Sequence, residues 1–183
     1  MGEWVDILDE ARNPPGTTAL KSEAHRKGLF HPTIHVWFYT SDQRLLLQQR
    51  GKSKKSFPLL WDVSVAGHVS AGESIIEAAI RETEEEIGLS INADDLEKIG
   101  VYKAVHRHGP EYLDCEYHHT FISLLNVPLH KLRKQNSEVE ALDLIPLIQF
   151  AEEAWGMANT ARFVPHEGTY YKDVVRAIKK RLE

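Results

Sequence analysis

The sequence predicts an α/β (α+β) fold, a mixed sheet with helices packed against it. Three observations point to that class. "TIHVWFYT" (33–40), "RLLLQQR" (44–50) and "EYHHTFISLL" (116–125) are rich in β-branched and aromatic residues and read as strands. Apolar residues recur at helical spacing from Ser74 to Ile87 and again from Tyr170 onward. The 183 residues suffice for a core without staples, and no stretch reads as a linker, so one domain over 1–183 is expected.

The elements follow in order. "WVDILD" (4–9) and "TTALKS" (17–22) flank the turn-rich "EARNPPG" and predict a hairpin in an N-terminal extension over about residues 1–30. "SDQ" joins the runs at 33–40 and 44–50 as a second hairpin. "GKSKKSFPLL" is a basic loop leading into "WDVSVAG", a short strand ending at Gly67. Ile75, Ile76, Ala79, Ile80, Thr83 and Ile87 make one face of a helix, with Gly88 as its stop. Strands are expected at 97–106, 115–125 and 138–145. Helices at 147–158 and from Tyr170, the latter striped by Val174, Val175, Ile178 and Leu182, fill the region 147–183.

Charge and composition bound the function. A net charge of −5 argues against sequence-independent nucleic-acid binding. It also means that a phosphate-bearing substrate needs local basic groups or a divalent cation. Cys115 is the one cysteine, which excludes an intramolecular disulfide and suggests a reducing compartment. No segment is apolar enough to span a bilayer, and "MGEWVDILDE" is acidic, unlike a leader. A cytoplasmic protein with neither membrane nor nucleic-acid partner is expected.

"GHVSAGESIIEAAIRETEEEIGL" (67–89) crowds Glu82, Glu84, Glu85 and Glu86 near the end of its helix, where like charges repel and the dipole disfavours them. A glutamate run alone is usually a solvated acidic face. Here the spacing of three and four puts Glu82, Glu85 and Glu86 on one side, an arrangement that a hard divalent cation relieves. The run also sits in a longer pattern. Gly67, Glu73, Arg81-Glu82, Glu85-Glu86, Gly88 and Leu89 fit G-x5-E-x7-R-E-U-x-E-E-x-G-U with U apolar, and Thr83 at the first U is the single departure.

That pattern is the Nudix box, and the chain resembles the Nudix hydrolases. The resemblance implies an α/β/α sandwich and hydrolysis of a diphosphate bond in a nucleoside diphosphate derivative or related small diphosphate. It implies Mg²⁺ or Mn²⁺ held by Glu82, Glu85 and Glu86 close to Gly67, with Arg81 steadying Glu85. Metal-activated water would attack phosphorus. A homodimer is left open. The general base also stays open, among Glu85, Glu86, Glu116, Glu138 and Glu140.

"LKSEAHRKGLFH", "RGKSKKSFPLLW", "SVAGH" and "CEYHHTF" carry a second resemblance, to isopentenyl-diphosphate isomerase and Nudix hydrolases sharing its frame. It implies a second divalent-metal site of His25, His31, His68, Asp114 and Glu116, and diphosphate contacts from Lys21, Arg50 and Lys55. The isomerase has a cysteine where this chain has Ala66, and its own box is eroded where "RETEEEIGL" is intact, which favours the hydrolase. A non-catalytic nucleotide sensor is the third reading, and it would be expected to lose box carboxylates. "HRH" (106–108) and "YHH" (117–119) read as plain strand or loop histidines, and Trp61 as an aromatic bracing the box strand.

Overall fold

A computed structural model describes residues 2–14, 16–155, 162–166 and 168–183. The N-terminal hairpin forms from β1 (Trp4–Asp6) and β2 (Thr18–Leu20), paired Trp4↔Leu20. The chain then turns into a helix absent from the sequence reading, α1 (Lys21–Lys27), closed by Gly28 in the left-handed region. There follow β3 (His31–Tyr39), β4 (Arg44–Arg50), β5 (Trp61–Asp62), β6 (Val65–His68) and α2 (Ile75–Ile87). The run expected as one strand at 61–67 is thus two short ones. Next come β7 (Glu97–Gly109), β8 (Tyr112–Leu124), β9 (Val139–Pro146), α3 (Leu147–Ala154) and α4 (Tyr170–Leu182). The expected helix at 147–158 ends earlier than read, and its residues 156–158 lie outside the described residues.

The seven-stranded sheet is mixed: β3 and β8 run parallel, and the other pairs are antiparallel. Every residue of β3 is buried, because the sheet is covered on both faces. Ile34, Val36 and Phe38 point with Phe121 into a core under α2, capped by Ala78, Ala79 and Ile87. Trp37 and Tyr39 point the other way, into a core with Phe150 of α3 and Val174 and Ile178 of α4. This two-sided alternation is the α/β/α sandwich.

The helix α2 is locally well specified. Ser74 accepts from the Glu77 amide and Glu77 reaches back to the Ser74 amide, a reciprocal capping box. The cap is therefore Ser74, and Glu73 is free for another role. Thr83, the odd residue in the box, is buried, and its hydroxyl donates to the Ala79 carbonyl at 2.7 Å, so an apolar position tolerates it. Gly88 ends the helix with φ 65°.

Two features of the sheet make room for a site. β3 and β4 meet at Tyr39↔Leu45 and then part, β3 pairing with β6 while β4 pairs with β5 and β9. Strand parity supplies the second. The registers His31↔Glu116, Thr33↔His118, Thr33↔His68 and His106↔Asp114 set polar side chains from β3, β8, β6 and β7 on one sheet face.

Candidate active site

A cleft of about 670 Å³ opens on this face, within the usual size of small-molecule sites. From the side of α2 it receives Glu82, Glu85 and Glu86. Glu86 reaches into the gap between β4 and β6, where Gln48 Nε2 donates to it at 2.8 Å and the Ala66 amide at 3.1 Å. Burial pushes its carboxyl up to about 7, against a weaker pull from Lys54. Glu82 is raised too, by burial first. Glu85 stands in the open, its side chain 52% exposed.

Arg81 differs from the expectation. Its fork is spent first on Glu73, with Nε and one terminal nitrogen each 2.8 Å from that carboxylate. It then reaches Glu82 at 2.7 Å and the His68 carbonyl at 3.0 Å, while Glu85 is a distant 3.4 Å. Arg81 thus braces the loop before α2 and fixes Glu82 more than Glu85. At Gly67 a Cβ would fall 2.1 Å from Glu82 Cδ, so the glycine makes room for the carboxylate.

Beside the box, His25 of α1, His31 of β3, His68 of β6 and Glu116 of β8 bring one donor atom each within 4.8 Å of one another. His31 Nδ1 lies 2.9 Å from the Leu29 carbonyl, which can only accept, so Nδ1 carries a hydrogen and Nε2 is the atom that faces the group. That Nε2 is buried 3.7 Å from a Glu116 oxygen, His68 Nε2 is 3.4 Å from the same oxygen, and His25 Nε2 is buried with no hydrogen-bond partner among the described residues. Burial opposes ionisation of Glu116, yet His31 and His68 beside it hold it well below the carboxylate range. Asp114 stands one step back, 2.9 Å from His25 Nδ1 and 2.9 Å from His108 Nε2. The five residues named from sequence therefore divide into four that converge and one behind them.

The basic residues line the same cleft. Lys21 pairs with Glu3, and Lys54 pairs with Glu138. Arg50 bonds Asp62 at 3.1 Å and Ser56 at 3.0 and 2.8 Å, leaving part of its fork for an anion. Lys55 stands 5.9 Å from the Tyr112 ring. Of the general-base candidates, Glu85, Glu86, Glu116 and Glu138 line the cleft. Trp61 packs at the edge of the α3–α4 core with Arg162 stacked 5.1 Å above its ring.

The box geometry is matched by similarity to known proteins, since residues 29–166 match the NUDIX domain. The chain belongs to the Nudix family. Among Nudix relatives it is 33% identical over 183 residues to Nudix hydrolase 3 of Arabidopsis thaliana, covering 95% of this chain but only 23% of that protein's length. It is 32% identical over 126 residues to isopentenyl-diphosphate Delta-isomerase of Serratia proteamaculans, 69% of this chain and 68% of the other. The crystal structure of DR0079 from Deinococcus radiodurans shares the fold, with a TM-score of 0.66 at 21% identity over 96% and 98% of the two chains. The chain is a Nudix hydrolase with an isomerase-like frame.

This Nudix site also holds residues that sequence reasoning passed over. His35, Asp62, His118 and His166 line the cleft, and Gln48 supports Glu86. The signal for His35 and His118 was strand parity. His31, Thr33 and His35 share one face of a β-strand, as do Glu116 and His118, so a metal-site reading for His31 and Glu116 already puts their neighbours on the same wall. Asp62 and His166, 104 residues apart, gave no such signal.

Proposed function

We propose that this chain hydrolyses the diphosphate bond of a small organic diphosphate, using a divalent cation held by Glu82, Glu85 and Glu86. The carrying observation is that all three carboxylates line one cleft, which Lys21, Arg50, Lys54 and Lys55 line as well. The donor set fits a hard cation. Two of the carboxylates are desolvated and raised toward neutrality, and the guanidinium beside them is largely committed to Glu73. Such a cation, Mg²⁺ or Mn²⁺, would neutralise phosphate charge and lower the pKa of attacking water. The protein's own residues orient the reaction. Gln48 and the Ala66 amide fix Glu86, Arg81 fixes Glu82, and we assign Arg50, Lys54, Lys55 and Lys21, which line the cleft, to the phosphate oxygens. Glu85, half exposed, is the member of the trio that solvent reaches most freely.

His25, His31, His68 and Glu116 fit a second, borderline ion, since three imidazoles and a carboxylate suit Zn²⁺, Mn²⁺ or Fe and their donor atoms lie within 4.8 Å of one another. Asp114 would act behind them by holding His25. Ala66 faces the cleft without a thiol, which disfavours isomerase chemistry. A free, buried Cys115 suits a reducing compartment, and we place the protein in the cytoplasm; among the described residues no helix is long and apolar enough to cross a membrane.

The test is phosphate and nucleotide release with Mg²⁺ across nucleoside diphosphate derivatives, dinucleotides and isoprenoid diphosphates. Glu85→Gln is expected to lower turnover by about 100-fold or more. Release that persists in the variant contradicts the metal assignment. Silence across the panel with a Mg²⁺-dependent rise in Tm supports a binding protein instead.

A further inference from the structure

The wall that carries His31, Glu116 and His68 continues past them, and the hydrolytic reading leaves that stretch without a task. On β3 the next residues on this face are Thr33, His35 and Trp37, opposite His118 and Thr120 of β8. The rings of His35 and His118 stack with centroids 4.0 Å apart and planes at 17°. His166 stands edge-on to both, at 5.6 and 5.8 Å. Its Nε2 is 3.4 Å from Asp62, which also holds Arg50. Thr33, His35, His118, His166 and Asp62 line the cleft beside Arg50.

His35 is aimed by a directional chain from the core. The Trp37 indole N–H can only donate, and it donates to the Tyr170 hydroxyl at 2.9 Å. That hydroxyl keeps its own hydrogen, since burial pushes its pKa well up, and it lies 2.6 Å from His35 Nδ1. When Tyr170 donates to Nδ1 rather than to Thr120, the other group beside that hydroxyl, the ring hydrogen of His35 falls on Nε2, at the cleft side. Burial, reinforced by His118 and His166, holds the ring neutral.

The lining is correspondingly polar. Phe57, Ala66, Val164 and Tyr112 are its only apolar or phenolic members among the described residues, and the rest are charged, amide, hydroxyl or imidazole side chains and one glycine. A hydrocarbon chain placed here would strip water from imidazoles and carboxylates and return no hydrogen bonds. A group carrying hydroxyls would satisfy them.

We propose that this imidazole-walled end of the cleft receives the hydroxyl-bearing half of the substrate, a sugar or polyol joined to the diphosphate, and that His35 reads one hydroxyl through its Nε2–H. The proposal rests on the cleft being a diphosphate site. It narrows the substrate to diphosphates with a polyhydroxyl partner and away from prenyl diphosphates, and it makes His35 a specificity residue, positioned by Tyr170 and Trp37.

Calorimetric titration with Ca²⁺ in place of Mg²⁺ tests it, using UDP-glucose, isopentenyl diphosphate and inorganic pyrophosphate as probes. UDP-glucose is expected to bind about tenfold or more tighter than isopentenyl diphosphate. His35→Leu is expected to bring that ratio to within about threefold while pyrophosphate affinity holds, and His35→Gln, which keeps an N–H, to retain most of it. Nitrogen-15 NMR of the wild type is expected to show His35 neutral with its hydrogen on Nε2. Isopentenyl diphosphate binding as tightly as UDP-glucose, an unchanged ratio in folded His35→Leu, or a hydrogen on Nδ1 overturns the proposal. The wild-type ratio and tautomer need no variant, so a misfolded His35→Leu leaves both able to decide. Sugar-selective binding without hydrolysis by the Mg²⁺ enzyme overturns the hydrolytic reading alone; preferential hydrolysis of isopentenyl diphosphate overturns this one alone. No measurable binding of any probe overturns both.

Discussion

Asp62 shows how one buried carboxylate is kept charged. It is 4% exposed, and burial alone would raise its pKa, yet His166 and Arg50 hold it well below the aspartate range near 3.8. A depressed folded-state pKa contributes stability that is present above the unfolded value and fades as pH falls below it. Asp62→Asn is therefore expected to cost about 3 kcal/mol at pH 7 by urea unfolding. Wild type and variant should converge as pH drops from 4 toward 2, and a gap that stays constant over that range contradicts the pairing. Gly67 is constrained by space rather than charge. Gly67→Ala places a methyl against Glu82, so the variant should fold, lose the Mg²⁺-dependent rise in Tm, and turn over about tenfold or more slowly. An unchanged Mg²⁺ response would show that Glu82 tolerates the displacement. Arg50→Gln and Lys55→Gln should raise KM more than they lower kcat.

Among the elements, α2 was legible because its signals are local: apolar spacing, a box of fixed residues, and Gly88 as a stop. Ser74→Ala should cost about 1 kcal/mol, measured by thermal or urea unfolding. The opposite sign is expected of Glu86→Gln in metal-free protein. It removes a desolvated charge while leaving the Gln48 and Ala66 donors an acceptor, so the variant should be more stable at pH 8 and respond less to Mg²⁺. A destabilised variant would mean that Glu86 is already compensated without a cation. The helix α1 was illegible for the converse reason. Seven residues hold barely two turns of periodicity, and Leu20 before them supplies no side-chain cap. The basic loop was legible as charge, but Arg50's ties to Asp62 and Ser56 depend on β4–β5 pairing, which no local pattern declares.

For the whole molecule, the sandwich follows from alternation that can be read strand by strand, with Ile34, Val36 and Phe38 on one side and Trp37 and Tyr39 on the other. The site does not follow in the same way. Its box is contiguous, whereas the histidine group joins residues from α1, β3, β6 and β8. If those residues hold an ion, protein purified without a tag should carry close to one equivalent of Zn²⁺, Mn²⁺ or Fe, and stripping it should lower Tm. Metal-free protein with an unchanged Tm would sink that assignment. The parallel pairing of β3 with β8 has a further consequence, one of timing. It joins His31 to Glu116 across 85 residues of chain, so it closes a long loop and cannot precede collapse. A one-residue slip would turn every polar side chain of that wall into the opposite core. During refolding, α2 can form early while the wall opposite it is still unmade. Recovery of enzymatic activity is thus a clock for the last strand to dock, and it should lag the return of helical signal.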